Sequence, residues 1–209
     1  MSNRAIRFAI YALIGVGLII WTQTRGSANA DEALADTADA AAAMADFGLE
    51  IDIAGEANGT IVIDLFEDVA PLHVAQITAI AADGGYDGVV FHRVIDGFMA
   101  QTGDVQYGKG EDTRRAGSGG SDLGNIQAEF SDIPFERGIV GMARSQSPDS
   151  ANSQFFLMFT EYPSLNNQYT VVGKVTSGMD IVDQIKRGTG PNGSMVGTPD
   201  QITAVRVTQ

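Results

Sequence analysis

The strongest constraint on this chain is a paired alternation near residue 50. Leu49, Ile51 and Ile53 alternate with Glu50 and Asp52, the period of a strand with one buried face. Residues 55–59, GEANG, are turn chemistry, and TIVIDLF at 60–66 reads as the returning strand. Further short strands are expected at 88–95 (GVVFHRVI), 138–143 (GIVGMA), 153–159 (SQFFLMF), 169–175 (YTVVGKV) and 202–208 (ITAVRVT). Two segments read as helix. The first starts after Asp68, expected as its cap, with Pro71 in the first turn and Val74, Ile77 and Ile80 on one face. The second is GMDIVDQIKRG, closed by Gly188. Many short strands and two helices predict a mainly β fold, a closed β-barrel capped by helices.

Ahead of this domain, 47–209, stand two segments of different character. Arg4 and Arg7 precede an unbroken apolar run of 14 residues, Phe8–Trp21. A membrane span needs about 20 residues, so the run reads as the core of a signal peptide. Ala28-Asn29-Ala30 supplies a small-x-small cleavage pattern, which makes 1–30 the export segment. The alternative is an uncleaved anchor, because nine residues separate Trp21 from Asp31. Either reading places the domain in a periplasm-like compartment, with any membrane attachment through residues 8–21 alone. Residues 31–46 are Ala-rich and acidic and read as a linker.

The net charge of −13 argues against a nucleic-acid partner, which needs clustered Lys and Arg. With no cysteine and two histidines, neither a disulfide scaffold nor an ordinary zinc site is expected, and no metal or cofactor is implied. Gly188–Gly193 matches G-x-G-x-x-G, but it follows a helix and contains Pro191, so it reads as a loop. GSGGSD at 117–122 also reads as a loop, although Ser118 or Ser121 keeps a hydrolase in view. His73 is expected on the helix surface. Arg93 is harder to dismiss: it sits on a strand among apolar neighbours, where an arginine needs partners.

FHRVIDGFMAQTGD at 91–104 is followed by GSGGSD, AEF, GIVGMARSQSPDSANSQFFLMF and YTVVGKV…GMDIVDQI. In that order and spacing they resemble the cyclophilin family of peptidyl-prolyl isomerases, from about Leu49 to Val207. The resemblance implies a closed eight-stranded antiparallel β-barrel with a helix over each open end and an active groove on its outer face. It also implies Arg93 as the catalytic residue, with His92 beside it and Tyr169 further on among the substrate-binding residues. Phe98, Met99, Phe156 and Leu165 correspond to the proline-pocket wall and Gln101 to a glutamine that holds the substrate backbone. Gly117, Ala143 and Gln154 fall where the family lines the neighbouring groove. Three positions depart from the pattern. Arg144 stands where many members have Asn, Ser164 where some eukaryotic members have tryptophan, and Tyr169 where a second pocket histidine occurs.

Those residue types suit a reaction without a nucleophile. Rotation about a peptide bond breaks C–N conjugation against about 18–20 kcal/mol, and nothing is cleaved. In the twisted state the proline nitrogen recovers a lone pair, to which a guanidinium can donate. The expected function is rotation about X-Pro bonds in unfolded or exported polypeptides. A non-catalytic proline-peptide-binding or chaperone module on the same barrel is the alternative.

Overall fold

The computed structural model describes residues 47–209. The expected export segment and acidic linker lie outside the described residues. Within 47–209, eight strands occur in chain order: β1 (Gly48–Ala54), β2 (Gly59–Leu65), β3 (Arg93–Ile95), β4 (Met99–Thr102), β5 (Ile139–Met142), β6 (Phe155–Met158), β7 (Val171–Ser177) and β8 (Gln201–Thr208). The helices are α1 (Pro71–Ala82) and the short α2 (Met179–Gln184). Among the described residues no helix is long and apolar enough to cross a membrane.

The strands form one antiparallel sheet in the order β3-β4-β6-β5-β7-β2-β1-β8. The opening hairpin pairs as its alternation predicts. Leu49 lies opposite Ile63 and Ile51 opposite Ile61, with all four side chains buried. Each such burial contributes about 1.5–3 kcal/mol.

The expected closed barrel is corrected to an open, curled sheet. β3 and β8 are its terminal strands, and no ladder joins them. The reason is local. The chain entering β3 runs through turns, with Gly88 at φ 78°, and reaches extended pairing only at Arg93. The segment 88–95 therefore supplies three strand residues rather than eight. Its remainder meets the β8 edge through one isolated bridge, Val90 with Gln201, and separate backbone bonds. Gly88 N–H donates to Ile202 O at 2.7 Å and Ile202 N–H to Val89 O at 2.8 Å.

Period 2 sorts the central strands onto two apolar faces. Ala100, Val140, Met142, Phe155, Leu157 and Val172 join the main core with β1, β2 and both helices. Their neighbours Met99, Ile139, Phe156, Met158 and Val171 point the other way, into a second cluster with Phe135 and Leu165. Burial on both faces is why FFLM reads as a continuous apolar run rather than an alternation. The second cluster forms the floor of the site described below.

Helix α1 packs on β8 and α2 on β2. The start of α1 differs from expectation at two positions. Its N-cap is Ala70, with no side-chain cap, so Asp68 does not cap it. Glu129, from a loop 56 residues further on, takes over. Its carboxylate accepts from Leu72 N–H and His73 N–H, both at 3.1 Å, and lies 2.6 Å from His73 Nδ1. His73 is therefore not a surface residue. It is fully buried beneath the carboxylate that caps its own helix.

Candidate active site

Arg93 begins β3 and lies directly opposite Gln101 on β4, while Gln101 lies opposite Phe156 on β6. Three adjacent strands thus place a guanidinium, an amide and an aromatic ring in one row. The turn Asp96–Phe98 brings Phe98 over the same face. Gly141, opposite Phe156 on β5, keeps the floor open: a Cβ there would lie 2.5 Å from the Phe156 ring and 2.6 Å from Phe135.

A cavity of ≈ 150 Å³ is lined by Arg93, Phe98, Met99, Gln101, Ala143, Arg144, Phe156, Leu165 and Tyr169. Apart from Arg144, each of these was predicted for the site. Aromatic contacts fix its walls. Phe156 stacks on Phe135 at 5.8 Å and meets Tyr169 edge-on at 5.8 Å. Phe98 packs on the exposed Tyr162 at 4.4 Å.

A larger cavity of ≈ 430 Å³ adjoins it and shares Gln101, Ala143 and Arg144. Gly117 and Gln154 line this second space. His92 lines neither cavity. It is buried behind Gly117, whose Cα hydrogens leave the room a Cβ would take 3.0 Å from the imidazole. Neither ring nitrogen of His92 makes a hydrogen bond of full geometry, although the Val90 backbone and the Gln154 side chain lie close enough to favour the protonated ring. Burial pushes it down to about 4, with the Asp104 carboxylate pulling upward and the Arg93 guanidinium downward.

The Arg93 guanidinium is held on three nitrogens. Nε donates to Asn192 O, Nη2 to Asn192 Oδ1 and Nη1 to Gln101 Oε1, each at 3.1 Å. Gln101 Nε2 donates to Gln154 Oε1 at 2.9 Å, and Gln154 Nε2 to Gly119 O at 2.8 Å. Gly119 is fixed in turn by the fully buried Asp104, whose carboxylate accepts from the N–H groups of Gln106, Tyr107, Gly117 and Gly119. Partial burial lowers the Arg93 pKa from its ordinary value, but a guanidinium stays charged in proteins.

Sequence reasoning missed Asn192 and Asp104. Asn192 lies in the Gly188–Gly193 segment, which reads in sequence only as a loop, although the loop's return to β3 at the Arg93–Ser194 bridge is what brings Asn192 to the arginine. The serines of the 117–122 loop are engaged elsewhere. Ser118 Oγ donates to Arg115 O and Ser121 Oγ to Asn152 Oδ1, and neither bonds a histidine. Among the described residues no group of three or more His, Asp or Glu is placed to hold a metal ion.

Comparison with known proteins is consistent with this geometry. Residues 49–207 match the family described as cyclophilin type peptidyl-prolyl cis-trans isomerase/CLD. A Brucella suis protein named "Probable peptidyl-prolyl cis-trans isomerase" is 58% identical over 148 residues, covering 69% of this chain and 76% of that one. A Helicobacter pylori peptidyl-prolyl cis-trans isomerase is 40% identical over 135 residues, covering 63% and 77%. The same fold occurs in a Cryptosporidium parvum cyclophilin type isomerase, crystallised in the presence of the dipeptide Ala-Pro. The TM-score is 0.66 at 24% identity, over 78% of this chain and 99% of that one. The chain belongs to the cyclophilin-type peptidyl-prolyl cis-trans isomerase family. It is an enzyme of the isomerase class.

Proposed function

We propose that this chain turns X-Pro bonds through Arg93, with the proline ring seated in the ≈ 150 Å³ cavity. The observation that carries the reading is the hold on Arg93. Asn192 and Gln101 fix its three nitrogens while the residue still lines a ring-sized space walled on its other side by Phe98, Met99, Phe156 and Leu165. A guanidinium fixed before substrate arrives needs little reorganisation when the proline nitrogen pyramidalises. Gln101 Nε2 carries a second N–H beyond the one given to Gln154, and it can hold a substrate carbonyl on the fixed side of the bond. Phe98, Met99, Phe156 and Leu165 seat the ring, with Tyr169 closing the wall. A barrier lowered by about 7 kcal/mol corresponds to about 10⁵-fold acceleration. One charged hydrogen bond contributes about 1.5–3 kcal/mol of it, so desolvation and positioning contribute the larger part.

A binding module without catalysis would use the same seat and have no need of the built cradle around Arg93. An isomerisation assay on a proline peptide separates the two. Acceleration that vanishes in Arg93→Ala, with peptide binding retained, supports catalysis. Binding without acceleration in the native chain supports the module.

We also infer that its clients are exported polypeptides, on the strength of residues 1–30. N-terminal sequencing of protein recovered from the producing cell tests this. A start at Asp31 in the periplasmic fraction, or Met1 in the membrane fraction, supports export. Intact Met1 in the cytosol overturns it.

A further inference from the structure

Arg144 stands at the junction of the two cavities and lines both. Its guanidinium lies over the Tyr169 ring at 4.6 Å. It donates to Gln168 O from Nε and Nη2, and to Ser145 O and Gln146 O from Nη1. These bonds fix the group without neutralising it, because every acceptor is a backbone carbonyl. Four other arginines differ in this respect. The chain carries −13 overall, and Arg114, Arg137, Arg187 and Arg206 each lie 2.7–3.1 Å from a carboxylate. Arg93 and Arg144 have no carboxylate partner among the described residues. One acid, Asp122, does line the larger cavity, but it also lines the separate hollow beside α1 with Ala79 and Asp83. Arg144 instead lines the rim shared with the proline seat. The two cationic side chains that line the paired cavities, Arg93 and Arg144, thus both carry charge that no carboxylate offsets.

We propose that the groove selects peptides carrying a carboxylate within two residues of the proline, on the side facing the larger cavity, with Arg144 as the residue that sets this preference. The inference rests on the isomerase reading of the seat. Proline in the smaller cavity brings its neighbour across the rim formed by Gln101, Ala143 and Arg144. A carboxylate there gains the uncompensated charge of Arg144 and the Nη2 hydrogen not given to Gln168. An amide gains only the hydrogen bond, and an ammonium is repelled by two guanidiniums.

The test uses the whole chain and peptides carrying Glu, Gln or Lys at each of the two positions on either side of one proline. Both kcat/KM and binding are measured. The expected result is the order Glu, Gln, Lys at one position, with Glu exceeding Gln by about 3- to 5-fold, the range of a partly exposed ion pair. The preference shrinks in about 0.5 M salt, where the screening length falls below the Debye length of about 8 Å at physiological ionic strength. Arg144→Gln removes the order, and Arg144→Lys keeps it by keeping the charge. Should Arg144→Gln not fold, the lysine variant and the salt titration of the native chain decide. Equal values for the three peptides at every position, or an order that survives both Arg144→Gln and high salt, overturn the proposal. The order seen in binding without any turnover supports it while removing the isomerase reading. Turnover without the order does the opposite.

Discussion

Asn192 accepts from Arg93 twice, through its backbone carbonyl to Nε and through its side-chain Oδ1 to Nη2, both at 3.1 Å. The residue manages this because its backbone is left-handed, with φ 54°. Asparagine tolerates that conformation better than most side chains. The side-chain bond is separable from the backbone one. Asn192→Gly keeps the conformation and the carbonyl but frees Nη2. Arg93 then loses part of its aim, and kcat/KM is expected to fall about 10-fold, mainly in kcat. Asn192→Asp keeps the acceptor and adds charge, and it should retain more activity than the glycine variant. A glycine variant with native kcat would show that Gln101 alone orients the guanidinium.

Arg93 itself is expected to dominate the rate. Arg93→Ala should lower kcat/KM by at least about 10²-fold, or about 2.7 kcal/mol, with a smaller effect on peptide binding because the apolar seat remains. Arg93→Lys should recover little. A lysine ammonium cannot reach both acceptors of Asn192 and Gln101 Oε1 as the guanidinium fork does. Cooperative thermal unfolding of both variants is the control for fold. Near-native turnover by a folded Arg93→Ala protein would move the mechanism to desolvation by the seat.

The sequence made the strands legible where apolar periodicity was strong and failed where tertiary contacts decide. The β1–β2 alternation marked the hairpin and its buried face, because a one-residue slip would turn Leu49 and Ile51 out of the core. The same reasoning overextended β3. Val89 and Val90 are apolar because they are buried, yet the turn at Gly88 takes them out of the ladder. That turn is also why the expected closure of the barrel gives way to isolated bonds. Met99–Thr102 was not read as a strand of its own, since four residues after a glycine turn carry too short a pattern. For the site, residue type and order pointed to the seat lining. Asn192, which holds two of the three Arg93 nitrogens, lies 99 residues away in sequence, in a loop with no periodic signal. Asp104 was invisible for a related reason: a buried carboxylate that binds backbone N–H groups looks, in sequence, like any loop aspartate.

The α1 cap yields a stability prediction of its own. Glu129 serves two backbone N–H groups and the Nδ1 of a fully buried histidine. Glu129→Ala leaves all three without that acceptor. It should cost about 2–4 kcal/mol and lower Tm by roughly 4–16 °C for a domain of this size. Glu129→Gln keeps one oxygen and should lose about half as much. Asp68→Ala, the cap expected from sequence, should change Tm little. Calorimetry on the three variants checks the ranking, and a large loss in Asp68→Ala with none in Glu129→Ala would restore the local cap.

His92 provides a pH test that separates structure from chemistry. Its folded-state pKa is depressed to about 4 by burial, against about 6.5 in the unfolded chain. Between those values the unfolded chain binds more protons than the folded one, so stability rises with pH across this window. The native chain is therefore expected to lose about 2 kcal/mol on going from pH 7 to pH 5, and about 3 kcal/mol by pH 4. The lowered carboxylates Asp52 and Asp183 act in the same direction, but only as pH falls below the ordinary carboxylate range. His92→Asn should be less stable at pH 7, because it leaves space behind Gly117, and its stability should be nearly flat from pH 7 to pH 5. Catalysis should respond differently. A histidine that stays neutral throughout the working range gives kcat/KM no step near pH 6.5, as expected if Arg93 rather than an imidazole acts on the proline nitrogen. Urea titrations and turnover measured at the same pH values decide both points. A native-like pH slope in the His92→Asn protein would place the titrating group elsewhere. A step in kcat/KM near 6.5 that disappears with His92→Asn would give the imidazole a part in the reaction.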